Sequence, residues 1–203
     1  MKEGGFTAGE LRAAPPTPDG LPRYPLSELI EAGFTPKQLR KAGYTSLSEL
    51  RVAGTTAKEL RADYKADVIR DAGYTCSDMR LAGFNARELT NVGFTVNELR
   101  AGGVTASELR QAGGITAKII NAAGYTIEEM REAKIKAKEL EKLGFSLPQL
   151  MAGGFTVREL REHGYEWPEL VTECKITYEE LIDGGYQAGK NGVQEAAVAR
   201  KLL

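Results

Sequence analysis

Arginine follows a recurring leucine-type position in ten places, and five of these come in unbroken succession: Arg40, Arg51, Arg61, Arg70 and Arg80. Cations spaced nine to eleven residues apart could track a phosphate backbone if the fold brought them into one stripe. Glutamate stands one residue before the same position in twelve places, so the two signs can instead pair between repeats. Pairing is the stronger reading, because an arginine near a helix C-terminus also complements the helix dipole. Each exposed pair contributes only about 0–1 kcal/mol.

Trp167 and Tyr178 form a second candidate for contact with a partner. They lie in a stretch, 159–184, that holds eight acids against two bases, and an aromatic pair in an acidic rim suits a protein-binding spot. The single histidine, His163, sits in REHGYEW without a nucleophile or metal ligand at motif spacing. It reads as a half-exposed surface side chain and joins the candidate partner contacts. No phosphate loop, zinc motif or dinucleotide fingerprint is present, so no catalytic residue, metal ligand or cofactor is assigned and no enzyme activity is expected. Cys76 and Cys174, 98 residues apart, read as reduced thiols.

All of these side chains are placed by one phrase, seen twice in AGFTPKQLRKAGYT at residues 32–45. Its leucine recurs as Leu11, Leu21, Leu29, Leu39, Leu50, Leu60, Ile69, Met79, Leu89, Leu99, Leu109, Ile120, Met130, Leu140, Leu150, Leu160, Leu170 and Leu181, with a mean step of 10. Four residues before this rung stands Ser, Thr or Asn in 14 of the 18 phrases, which is N-cap chemistry. Glu or Gln three residues after the cap, as in Thr56 with Glu59, completes a capping box. An aromatic residue just before the cap staples onto the rung, as Phe94 does with Leu99, and a glycine closes the phrase. Each phrase therefore predicts its own helix.

Such a helix has about seven residues, and helices under about 12 residues are marginal alone in water. Apolar residues one before, one after, four after and seven after the cap form a single stripe, so stability must come from stacking that stripe on the sequence neighbours. Of the 14 Phe and Tyr residues, 13 fall in the slot before a cap or its equivalent, as expected of a core ladder. The expected fold is all-α: an α-solenoid, or superhelix, of about 18 short two-turn helices with capped ends. Residues 1–24 read as an N-terminal repeat and proline-rich cap, in which PPTPDGLPRYP makes a rigid cap or kink. Residues 25–186 read as the array, and 187–203 as a C-terminal capping helix.

The phrase resembles short decapeptide-type helical tandem repeats of the form A-G-[FY]-[ST]-x-x-E-L-[RK]-x, over about residues 5–186. The resemblance implies an interaction scaffold of the kind found in large microbial and viral proteins, and names no substrate. A net charge of -1 and mean hydropathy of -0.33 suit a soluble chain with a cytoplasmic setting, without a membrane span or signal peptide. The leading functional expectation is a non-catalytic scaffold for a protein or peptide partner, read by a variable polar face. Position two of the helix illustrates that face: Lys37, Lys58, Asn97, Ser107, Glu128 and Arg158. Nucleic-acid binding along the arginine stripe is the first alternative. Head-to-tail self-association is the second, the basic stretch 23–70 of one copy meeting the acidic 159–184 of another.

Overall fold

The computed structural model describes residues 5–20, 23–44 and 46–187. Among these residues there are seventeen short helices and no strand: α1 (Ala8–Arg12), α2 (Leu26–Glu31), α3 (Pro36–Lys41), α4 (Leu47–Val52), α5 (Ala57–Leu60), α6 (Ala66–Asp71), α7 (Cys76–Leu81), α8 (Ala86–Asn91), α9 (Val96–Ala101), α10 (Ala106–Ala112), α11 (Ala117–Ala122), α12 (Ile127–Glu132), α13 (Ala137–Glu141), α14 (Leu147–Ala152), α15 (Val157–Glu162), α16 (Trp167–Cys174) and α17 (Tyr178–Asp183). One helix per phrase, regularly spaced, is the short-helix repeat architecture of a solenoid. The exception is the second phrase. Its Thr17 carbonyl accepts from Gly20 N–H at 2.8 Å in a turn, and residues 15–20 are not helical, as the prolines there require. The expected closing helix lies outside the described residues, apart from Gln187.

Thirteen of the fourteen expected caps stand at a helix N-terminus, Thr17 being the other. Twelve helices carry the reciprocal capping box. In α5, Thr56 N–H donates to Glu59 Oε2 at 2.7 Å while Glu59 N–H donates to Thr56 Oγ1 at 3.3 Å. Glu166 is an unexpected cap, its own N–H donating to Glu169 Oε2 at 3.1 Å.

The helix ends explain the ten-residue period. Phe34 N–H donates to Leu29 O at 3.1 Å and Gly33 N–H to Ile30 O at 2.8 Å, the two bonds of a Schellman close, and Gly33 takes φ 81°. Phe34 is thus the last residue of one helix's closure and the staple residue of the next. Phe34, Phe94 and Phe155 are 5%, 8% and 2% exposed, and all described rungs are buried. A fully buried leucine contributes about 1.5–3 kcal/mol, which is what holds helices too short to stand alone.

The chain divides into two compact units, Met1–Val104 and Thr105–Leu203. Within the first, α1 packs on α3, α5 on α7 and α7 on α9; within the second, α10 packs on α12, α14 on α16 and α15 on α17. This corrects the expectation that each repeat touches mainly its sequence neighbours. Neighbouring pairs such as α8 with α9 and α13 with α14 also meet, but the fullest contacts join helices two apart. The reason lies in the shared slot residue. It joins consecutive helices end to start, so their sides are left to pack on the helix beyond.

Candidate functional site

The arginines after the rung turn along the chain onto the backbone of the helix two further on. Arg51 Nε donates to Ala72 O at 3.1 Å, Arg61 Nη1 to Ala82 O at 2.8 Å, Arg161 Nε to Gly184 O at 3.0 Å, and Arg70 to Val92 O and Gly93 O at 2.8 and 3.0 Å. Each bond satisfies a carbonyl that a helix end leaves orphaned. The guanidinium also covers a ring of the aromatic ladder: Arg40 lies over Tyr64, Arg61 over Phe84 and Arg70 over Phe94, at 5.7, 4.6 and 5.1 Å. Arg61 reaches Glu88 at 3.9 Å, Arg110 reaches Glu139 at 3.6 Å and Arg131 reaches Glu159 at 3.3 Å, each three phrases on. Arg80 is half-buried on α7 and is also engaged. The stripe is therefore an internal clamp, and the phrase's glycine seats it. A Cβ at Gly83, φ 89°, would collide with Arg61 Nη1.

Helices two apart also fit by size. The first helical residue of one meets the C-cap of the other, and large residues face glycine. Cys76 faces Gly102, Ile127 faces Gly153 and Val157 faces Gly184, where an added Cβ would lie 2.9, 2.6 and 2.9 Å from the partner Cβ. His163 belongs to this contact. As C-cap of α15 it accepts a hydrogen bond at Nδ1 from Ala137 N–H at 3.1 Å and meets Phe155 edge-on at 5.9 Å. It thereby caps α13, whose own N-cap, Lys136, makes no side-chain cap bond. Trp167 and Tyr178 are the first residues of α16 and α17, both half-buried. Arg40, Arg51, Arg61, Arg70 and Arg80 belong to the first compact unit, and His163, Trp167 and Tyr178 to the second.

What sequence reasoning missed is a groove that recurs between a repeat and the second one after it. One instance, of about 390 Å³, is lined by Arg51, Thr55, Ala57 and Lys58 on one side and by Tyr74, Asp78, Leu81 and Ala82 on the other. A second, of about 760 Å³, uses the equivalent positions, with Ser77 in place of Lys58 and Ala101 in place of Leu81. A third, of about 410 Å³, has Gly9 and Lys41 there. The cradle of slot, cap and C-cap is constant in role, and the rim varies. The only sequence signal was the variation at position two of the helix.

Titrating groups of the repeats are tied to the frame. Burial pushes the phenols of Tyr74 and Tyr186 up to about 12, and burial raises the thiols of Cys76 and Cys174, disfavouring the thiolate. Tyr165 is raised by burial and by its bond to Glu141 at 3.1 Å. Glu10 and Glu98 are held below the usual carboxylate range by backbone and hydroxyl bonds from Thr7 and Thr95. At Glu159 burial pushes upward, but bonds from Thr156 and the Arg131 charge bring it below as well. Among the described residues there is no group of three or more His, Cys, Asp or Glu side chains that could hold a metal ion, and no helix long and apolar enough to cross a membrane.

One helix per ten residues, clamped and fitted to the helix two away, defines the protein as a tandem repeat of short helices. A family model described as the decapeptide repeat region matches residues 61–127 and again 113–175, together more than half of the sequence. The chain belongs to that decapeptide repeat family. No curated protein and no solved structure matches it.

Proposed function

We propose that the chain is a non-catalytic scaffold that holds a protein or peptide partner in the grooves between repeats two apart. The observation that carries this reading is the constant cradle with a variable rim: Lys58 and Leu81, Ser77 and Ala101, and Gly9 and Lys41 at equivalent places in three grooves. A frame repeated with different rims presents a different chemistry in each groove, which is what selective recognition needs. Phosphate binding is not proposed, because Arg51, Arg61 and Arg70 already donate to backbone carbonyls.

The test is site-specific photocrosslinking in the native host. A crosslinking side chain at Lys58 or Ser77 should capture one discrete partner, and the same group at Asp19, exposed in the N-terminal turn, should not. No capture at either groove, or equal capture at Asp19, would remove the basis of the proposal.

A further inference from the structure

Three features meet at the groove between 51–58 and 74–82. Its slot residue is Thr55, where the neighbouring repeats have Tyr44, Tyr64 and Tyr74. Thr55 is 3% exposed, its buried Oγ1 has no hydrogen-bond partner, and the residue lines the groove. Second, Arg51 lies between Arg40 and Arg61, which each cover a ring, but among the described residues no ring lies beneath its own guanidinium. The ring due there by the pattern is Tyr74, whose hydroxyl donates to Thr55 O. Third, the rim pairs Lys58 with a large apolar side chain where the other two grooves have Ala101 and Lys41: Leu81 lines the groove, Val52 adjoins Arg51, and both are 80% exposed.

A guanidinium without a ring, a buried hydroxyl without a partner and an exposed leucine at one groove together describe the complement of a phenol. The ring would lie against Leu81 and Arg51, and its hydroxyl would pair with Thr55 Oγ1. The surroundings select the flanking charge. Lys58 is exposed at the groove, Asp78 is occupied by Thr75 N–H and Oγ1, and residues 23–70 carry nine Lys and Arg against six acids. Resting on the scaffold reading above, we propose that this groove takes a tyrosine side chain presented by an acidic segment of a partner protein. The equivalent groove at Cys76 and Gly102 is not such a site, since Tyr74 stands there in the place of Thr55 and Phe94 lies beneath Arg70.

The experiment uses the full-length chain, ¹⁵N-labelled, titrated with the capped peptide Glu-Glu-Tyr-Glu-Glu. Companion peptides carry Phe or Ala for Tyr, or Lys for every Glu. Amide shifts confined to 51–58 and 74–82 are expected, with affinity falling at least tenfold for the Ala and Lys peptides and severalfold for Phe. Leu81→Glu, a change at an exposed side chain, should abolish the shifts with an unchanged circular dichroism spectrum, and Thr55→Val should erase the preference for Tyr over Phe. Equal binding of the Ala peptide, or full binding to Leu81→Glu, overturns the proposal. So does shifting of the same amides when the protein alone is concentrated, since a second copy then occupies the groove. Shifts confined to another groove overturn it while leaving the scaffold reading in place; no binding by any peptide, joined with no crosslinked partner in the host, overturns both.

Discussion

Gly153→Ala separates the repeat's consensus from its three-dimensional fit, because the two predict opposite signs. Gly153 is the C-cap of α14 with φ -81°, a conformation any residue adopts, and the equivalent position is alanine in eight of the other helices, from Ala13 to Ala133. Helix propensity alone would make the change stabilising by about 0.5–1 kcal/mol. In the structure the new Cβ would collide with Ile127 Cγ2, lie 2.6 Å from Ile127 Cβ, and be confined from behind by Gln149 O at 3.4 Å. Overpacking of this kind costs about 1–3 kcal/mol. The expected result is a fall of about 2–4 °C in Tm for each kcal/mol in a chain of this size. Urea unfolding followed by circular dichroism at 222 nm gives the midpoints for Gly153→Ala, Ile127→Ala and the double variant. Ile127→Ala alone should also destabilise, since it removes methyl groups from the contact. Together the two should cost at least about 1 kcal/mol less than their sum, a coupling well outside the about 0.3–0.5 kcal/mol scatter of independent sites. A stabilised Gly153→Ala, or strict additivity, would refute the fit between repeats two apart.

Lys134, with φ 59°, occupies the left-handed position that glycine holds elsewhere, so Lys134→Gly should raise stability by up to about 1 kcal/mol, read as a shift of the urea midpoint. His163→Ala should remove the acceptor for Ala137 N–H, speeding hydrogen exchange at that amide and costing about 1 kcal/mol, with Gln restoring more than Phe. The phenols of Tyr74 and Tyr186 stand at about 12, raised above their ordinary value near 10 by burial, so the folded state favours the neutral form. Their contribution to stability is fully present below pH 10 and is lost as pH rises toward about 12. Absorbance at 295 nm should accordingly show tyrosines that ionise late, followed by loss of helical signal. At the acid end Glu10, Glu98 and Glu159 are lowered, so their contribution is present above the ordinary carboxylate range and fades as pH falls below it.

Much of the local structure was legible because each phrase carries its own instructions. Thr95 accepts from the N–H of Glu98, Glu98 reaches back to Thr95, and Phe94 closes one helix while starting the next, all within six residues. Interactions of such short range need no knowledge of what lies across the fold. Glu166 escaped notice because a carboxylate can do the work of a threonine hydroxyl, and only the backbone geometry of Trp167 and Glu169 reveals it. The arginines were legible as a stripe but not as a clamp, since a side chain that extends outward and one that bends onto Ala82 O have the same letter.

The sequence by itself determined the period of the helices, where most of the described ones begin and end, and which side chain each commits to the core, because caps, Schellman closures and rungs act within one ten-residue period. Only the tertiary structure decided that a helix packs on the second one after it. From that one fact follow the seating of Arg61 on Gly83, the facing of Ile127 to Gly153, the capping of Ala137 by His163, and the groove at Thr55. The physical reason is that close packing joins residues 19 to 30 positions apart through their shapes, and no pattern confined to a single repeat records which shapes will meet.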